Sequence, residues 1–115
     1  MRNFLLFLII SFLAACSGNN GPVKEYTLHV YGNNEVCKRT IDSAATAVKG
    51  VKQSDWHIDS KLLTLKLDTN ITSTEEVLQS IANAGYDNEL FYGNDYAYGA
   101  LPISCQYERR EHELK

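Results

Sequence analysis

The residues best suited to chemistry are two cysteines, Cys37 and Cys105, out of three in the 115-residue chain. Thiolate sulfur is a soft donor, and two thiolates suffice for a near-linear site for a soft ion such as Cu(I) or Hg(II). In a compartment that permits disulfides, the same two sulfurs can instead bond to each other. The residue types leave both outcomes open: the cysteines pair, or they bind an ion together.

The position of Cys37 favours a reactive sulfur. It lies at the start of a predicted helix, where unpaired N–H groups favour a thiolate, and Lys38 and Arg39 add positive charge nearby. The same placement is compatible with a disulfide to Cys105, which an oxidising envelope favours. A third reading is a thiol redox role, with Cys37 as the attacking and Cys105 as the resolving thiol.

Other residue types suggest no comparable site. His29, His57 and His112 have no metal-ligand spacing with one another or with a cysteine, and we expect His29 and His57 to face solvent on strands. No Ser-His-Asp arrangement, phosphate loop or catalytic carboxylate pair is recognisable. The sequence therefore predicts a protein that is not an enzyme.

The first residues predict the compartment. Arg2 precedes an apolar run over residues 4–13, the pattern of a signal peptide over residues 1–15. The run ends in Leu-Ala-Ala-Cys at residues 13–16, which resembles the lipobox of bacterial lipoproteins. That resemblance implies that Cys16 becomes a lipidated N-terminus, hence a membrane anchor and neither a ligand nor a disulfide partner. The alternative is an ordinary secretory signal that leaves Cys16 free.

The lipobox resemblance also implies a place in the cell. We expect a protein of the bacterial cell envelope that faces the periplasm, and Ser17 favours the outer membrane by similarity to enterobacterial sorting signals. Residues 16–24 are rich in small and polar types and predict a flexible tether. Of eleven Lys and Arg one is Arg2, which leaves ten against fourteen Asp and Glu, so no nucleic-acid partner is expected.

Hydrophobic periodicity predicts a strand, a helix and a hairpin in the first part of the domain. Apolar and polar residues alternate over residues 26–31, as in a strand with one buried face. Residues 36–48 place apolar side chains on one helical face. Residues 51–59 and 61–67 are strand-like runs on either side of a turn, and they predict a hairpin.

The second part of the domain repeats the pattern of helix and strand. Ser73 and Glu76 have the spacing of a capping box, and the helix that follows ends at Gly85. Residues 87–92 predict a fourth strand. The order strand, helix, strand, strand, helix, strand is that of the ferredoxin-like fold, an α+β sandwich with two helices on one face of a four-stranded antiparallel sheet.

Several short motifs resemble the heavy-metal-associated (HMA) domain family, whose loop G-M-T-C-x-x-C joins the first strand to the first helix. Residues 31–37 read Tyr-Gly-Asn-Asn-Glu-Val-Cys, so Cys37 matches the second cysteine. Gly50-Val51 after the first helix and Ala84-Gly85-Tyr86-Asp87 after the second also match the family pattern. The resemblance covers a domain over residues 25–92 and implies the HMA fold and a soft-metal site.

The chain departs from the family at the first metal cysteine, where Asn34 stands. Residues 101–109 look like the C-terminal extension of some lipoprotein relatives, which carry adjacent cysteines, and one of these two positions is Ser104 here. The resemblance implies that an extension over residues 93–115 packs near the metal loop and brings Cys105 to Cys37. Asn34 and Tyr86 would then lie around the bound ion, Tyr86 as a shield from water.

The sequence therefore predicts an envelope-anchored protein that binds a soft metal ion through Cys37 and Cys105, as a copper or mercury chaperone or for sequestration. Cu(I) is the favoured ion, with Hg(II) or Zn(II) as alternatives. The expected partners are the membrane, through the lipid, and a metal donor or acceptor protein. The rival interpretation is a degenerate HMA-like module in which a Cys37–Cys105 disulfide staples the fold for a structural or protein-interaction role.

Overall fold

The computed structural model describes residues 22–111. In chain order the elements are β1 (Val23–His29), α1 (Glu35–Thr46), β2 (Val51–Trp56), β3 (Leu62–Asp68), α2 (Thr74–Asn83), α3 (Asp95–Gly99) and a 3-10 turn (Ile103–Cys105). Within this part of the chain, no helix has the length and apolar character needed to cross a bilayer. The expected signal peptide and the anchor Cys16 lie outside the described residues.

The sheet is antiparallel, with strand order β1-β3-β2. Tyr26 lies opposite Leu65, and Trp56 lies opposite Leu63. Helices α1 and α2 pack against each other and share one core with the sheet. The predicted hairpin and the α+β ferredoxin-like fold are therefore confirmed.

The core lies between β3 and the two helices. Alternate side chains of β3 point into it, and each large aliphatic side chain that is buried there stabilises the fold by roughly 1.5–3 kcal/mol. Trp56 is fully buried, and its indole Nε1 donates to the carbonyl of Val30 at 2.9 Å, so its polar atom is satisfied. The other main core residues are Ile41, Ala45, Leu63, Leu65, Leu67, Val77, Leu78 and Ile81.

The boundaries of α2 follow the predicted signals. The hydroxyl of Ser73 accepts a hydrogen bond from the backbone N–H of Glu76 at 3.2 Å, which satisfies one of the free donors of the first turn. Gly85 follows the helix with a φ of +106°, and a Cβ there would lie 2.8 Å from the backbone nitrogen of Tyr98. Glycine is therefore required where the extension crosses the end of α2.

One element differs from the prediction, because residues 87–92 do not form a fourth strand. The segment makes an isolated bridge between Asn88 and Val30. The side-chain carbonyl of Asn88 accepts hydrogen bonds from the N–H groups of Leu90 and Phe91 at 3.1 and 3.0 Å. This local turn takes the backbone groups that would otherwise have continued a ladder beside β1, so the described sheet has three strands instead of four.

Candidate functional site

Cys37 lies in the first turn of α1, as expected. Asn34 is the N-cap residue, and its side-chain carbonyl accepts hydrogen bonds from the N–H groups of Val36 at 2.9 Å and Cys37 at 3.2 Å. Such a cap typically stabilises a helix by about 1 kcal/mol. Asn34, which stands where the HMA resemblance leads one to expect the first metal-binding cysteine, therefore has a structural role at the start of this helix.

The structure brings Cys37 and Cys105 together in a disulfide. Their Cα atoms lie 5.6 Å apart, although 68 positions separate them in sequence. Both residues are fully buried. Of the two outcomes that the residue types left open, the structure shows covalent pairing, and it places both sulfurs at the junction of the β1–α1 loop with the C-terminal extension.

Polar groups surround the two sulfurs. The hydroxyl of Tyr86 lies 3.3 Å from Sγ of Cys105, and because a disulfide sulfur carries no hydrogen, the hydroxyl is the donor. Burial raises the pKa of Tyr86, so this hydroxyl keeps its proton at neutral pH. On the other side, Oδ1 of Asn33 lies 3.0 Å from Sγ of Cys37, and the backbone N–H of Asn33 points at the same sulfur at 3.5 Å.

Asn34 also connects the loop to the extension. Its side-chain Nδ2 donates a hydrogen bond to the carbonyl of Ser104, the residue next to Cys105. The two positions at which the family resemblance leads one to expect cysteine, 34 and 104, thus touch each other. The amide of Asn34 is used at both ends by structural hydrogen bonds, so as the structure stands it is not free to coordinate an ion.

Of the two positive charges expected beside Cys37, that of Lys38 is balanced by neighbouring acids. The ammonium group of Lys38 forms ion pairs with Asp55 at 2.7 Å and Asp42 at 2.9 Å, and it donates to the carbonyl of Trp56 at 3.0 Å. The hydrogen bond to Asp55 is the largest cause of the raised pKa of Lys38. Lys38 therefore fastens α1 to β2, and its charge contributes little to stabilising a thiolate.

A buried carboxylate, for which the sequence carries no local signal, anchors the extension. Asp87 is fully buried and accepts hydrogen bonds from the guanidinium of Arg109 at 2.7 and 3.2 Å. The backbone N–H groups of Gly93 and Arg110 also donate to it, at 2.6 and 2.9 Å. Burial alone raises the pKa of Asp87, but these hydrogen bonds outweigh burial and hold the pKa below its usual value.

Tyr107 adds a second anchor beside the first. Its hydroxyl donates to the carbonyl of Gly85 and accepts from the N–H of Asp87, both at 2.7 Å. Its ring stacks on Tyr86 with the centroids 5.6 Å apart. Asp87 and Arg109 are 22 positions apart, and no local spacing rule connects residues at that distance, so only the folded chain reveals the contact.

The histidines do not complete a metal site. His29 lies half-buried at the end of β1, and His57 is exposed after β2, whereas His112 lies outside the described residues. Among residues 22–111 no group of three or more His, Cys, Asp or Glu side chains is placed to hold a metal ion. Any ion bound at Cys37 and Cys105 would therefore have two protein sulfurs as its main ligands.

Comparison with solved structures shows where this fold occurs. The crystal structure of oxidised MerP from Ralstonia metallidurans CH34 is 26% identical, with a TM-score of 0.56, and the match covers 59% of this chain and 96% of that one. A CopZ metallochaperone is 23% identical, with a TM-score of 0.55, over 56% of this chain and 98% of that one. A putative copper-ion-binding protein from Bacillus anthracis str. Ames is 21% identical, with a TM-score of 0.57, over 60% and 99%.

These likenesses and the strand order show that the chain has an HMA-like ferredoxin fold. No protein-family model matches the sequence, and no curated protein matches it significantly. The three matches cover nearly the whole of each solved chain but only 56–60% of this one.

Proposed function

We propose that this chain is a lipid-anchored envelope protein that binds a soft cation, Cu(I) above all, through the thiolates of Cys37 and Cys105, and delivers or sequesters it. The observation that carries the proposal is the meeting of these two sulfurs at the start of α1 on an HMA-like fold. Two thiols held this close form a chelating pair once the disulfide is reduced. The protein acts by binding and not as an enzyme.

The ligand count selects the ion. Two sulfurs without a third strong donor among the described residues suit ions that accept near-linear coordination, which favours Cu(I) or Hg(II). A structural Zn(II) site takes four ligands in a tetrahedron, so zinc fits this pair poorly. Tyr86, which is fully buried with its hydroxyl against Sγ of Cys105, would shield the ion from water.

Binding requires a reductant and a modest movement. A disulfide holds its sulfurs about 2 Å apart, whereas an ion between two thiolates, with bonds of roughly 2.3 Å as for zinc, needs about 4–5 Å. Rotation of the two side chains supplies most of this separation because the Cα atoms are already 5.6 Å apart. The donor and acceptor of the ion would be other envelope proteins that reach this loop.

The test is a titration of the fully reduced, purified protein with Cu(I) under anaerobic conditions against a competing chelator. We expect one equivalent of Cu(I) to be retained, and we expect Cys105→Ser to lose it. Ser104→Ala, one residue away, is the matched control and should bind like the natural chain. Reduced protein that gives up all its copper to a weak competitor would refute the proposal.

A second function is favoured by the burial of the disulfide. Both cysteines are fully buried, and Asn34 caps a helix where the family resemblance places a metal ligand. These observations support an HMA-like module that the disulfide staples for a structural or protein-interaction role. Trapping thiols with an alkylating agent in intact cells separates the two functions. A permanent disulfide in the cell, together with no copper binding after reduction, selects the stapled module.

The anchor is tested separately. If Cys16 carries the lipid, the natural chain sediments with the membranes, and mass spectrometry finds its mature N-terminus at Cys16 with a diacylglycerol on the sulfur. A mature chain with an unmodified Cys16 would rule out the lipid anchor and leave the metal site unaffected.

A further inference from the structure

The C-terminal extension is held in place on both sides of Cys105 by contacts that do not involve the disulfide. Before Cys105, the carbonyl of Ser104 accepts the hydrogen bond from Asn34. After Cys105, Tyr107 and Arg109 bind the turn that follows α2. The extension therefore has its own attachment to the domain.

The ion pair between Asp87 and Arg109 attaches the extension firmly to the domain. The carboxylate is fully buried, whereas the Arg109 side chain is 21% exposed, so much of the ion pair is shielded from water. Arg109 also donates to the carbonyl of Gly93 at 2.7 Å, and its guanidinium lies 4.8 Å from the centre of the Tyr98 ring. A planar guanidinium that uses several donors at once fixes both position and direction.

Hydrogen bonds of Tyr107 connect this attachment to Cys105. The backbone N–H of Tyr107 donates to the carbonyl of Cys105 at 2.9 Å, and the hydroxyl of Tyr98 donates to the carbonyl of Tyr107 at 2.7 Å. The short segment from Cys105 to Arg109 is thus fixed at nearly every residue. Breaking the sulfur–sulfur bond removes none of these contacts.

We infer that Asp87, Tyr107 and Arg109 are positioning residues that hold Cys105 against Cys37 in the reduced protein. The two thiols then form a preorganised site for a ligand that binds two thiols at once, such as a soft cation. We call these three residues the extension clamp. The inference rests on the proposed function where it concerns the cation, but the positioning itself can be measured without any metal. Preorganisation favours binding because less conformational freedom is lost when the ligand arrives.

The metal-free measurement is the thiol–disulfide equilibrium of the full-length chain with glutathione. Two glutathione thiols are oxidised to one glutathione disulfide as the Cys37–Cys105 bond is reduced to two thiols. The equilibrium constant gives the effective concentration of one protein thiol at the other. We expect Arg109→Gln and Tyr107→Phe each to lower this effective concentration at least tenfold and to weaken Cu(I) binding in parallel.

Two controls separate positioning from general stability. Asp95→Asn removes the other carboxylate partner of Arg109, which is 86% exposed, and should leave the equilibrium unchanged. Ile81→Val loosens the core within α2 and lowers the unfolding midpoint of both redox forms. It should not change the glutathione equilibrium while the protein stays folded, because its apolar side chain makes none of the hydrogen bonds that fix residues 105–109. Circular dichroism of each reduced variant checks that the fold persists. If Arg109→Gln does not fold, Tyr107→Phe still tests the inference, because it removes only one hydroxyl.

The outcomes are distinct. An effective concentration that is the same in Arg109→Gln, Tyr107→Phe and the natural chain overturns the inference, even if copper binds. A tenfold loss in both clamp variants supports it, even if the natural chain binds no copper and the proposed function fails.

Discussion

The disulfide should contribute a large part of the stability of this small domain. In the chain-entropy description, a cross-link stabilises a fold by restricting the unfolded chain, and the effect grows with the logarithm of the loop length. The loop here spans 68 positions. For a loop of that length the description gives about 4 kcal/mol at 25 °C. Reduction of the natural chain should therefore lower its free energy of unfolding by about 4 kcal/mol.

Guanidinium denaturation with and without reductant measures this difference. The chain has a single tryptophan, Trp56, and it is fully buried, so its fluorescence reports loss of the core directly. With a slope of roughly 2 kcal/mol per molar guanidinium, the midpoint should fall by about 2 M on reduction. The double variant Cys37→Ala/Cys105→Ala is the control, and the reductant should not shift its midpoint.

In this description the disulfide acts on the unfolded state of the chain. If the natural chain loses less than about 1 kcal/mol on reduction, the reduced unfolded chain must already keep residues 37 and 105 close together. The entropic explanation is then wrong for this protein.

Three further predictions concern the surroundings of the site. Asp87→Asn should cost about 3 kcal/mol at neutral pH because it removes the buried carboxylate that pairs with Arg109 and leaves only the exposed partner Asp95. The pKa of Asp87 is lowered in the folded state, so the difference in free energy of unfolding between this variant and the natural chain should be complete above about pH 4. It should disappear as the pH falls through the folded-state pKa, and denaturation at a series of pH values measures it. Gly32→Ala should cost about 1–3 kcal/mol in thermal or urea unfolding, because its Cβ would lie 2.9 Å from the Trp56 ring. An unchanged midpoint would show that this loop does not pack closely on Trp56. Asn34→Ala should cost about 1 kcal/mol through loss of the helix cap, together with the hydrogen bond to Ser104. Asn34→Asp keeps the capping oxygen but turns the donor to Ser104 into an oxygen that faces its carbonyl, so it should recover only part of the loss in the same assay.

Local rules of sequence were sufficient for most of the fold. The alternation in β3, the stripe of α2 and the capping residue Ser73 act over a few positions, so they can be read before any tertiary contact is known. The missing fourth strand shows the limit of periodicity. Asn88 can hydrogen-bond to nearby N–H groups, and that local competition ends the strand after one bridge.

The site was predictable only in part. Cys37 and Cys105 were singled out by residue type, and family resemblance suggested that the extension returns to the loop. What type and spacing could not indicate was the burial of Asp87 and its pairing with Arg109, because such a pair depends on the path of the whole extension. The balanced charge of Lys38 was likewise invisible until Asp42 and Asp55 were placed around it.

The contact between Asn34 and Ser104 has a consequence for how the chain matures. Four cysteines at positions 34, 37, 104 and 105 would permit three patterns of pairing, and the folding chain would need to select one of them. With asparagine and serine at two adjoining positions, the described residues keep one thiol on each side of the junction. Oxidation within the domain then has a single product, and an isomerase has no wrong bond to correct.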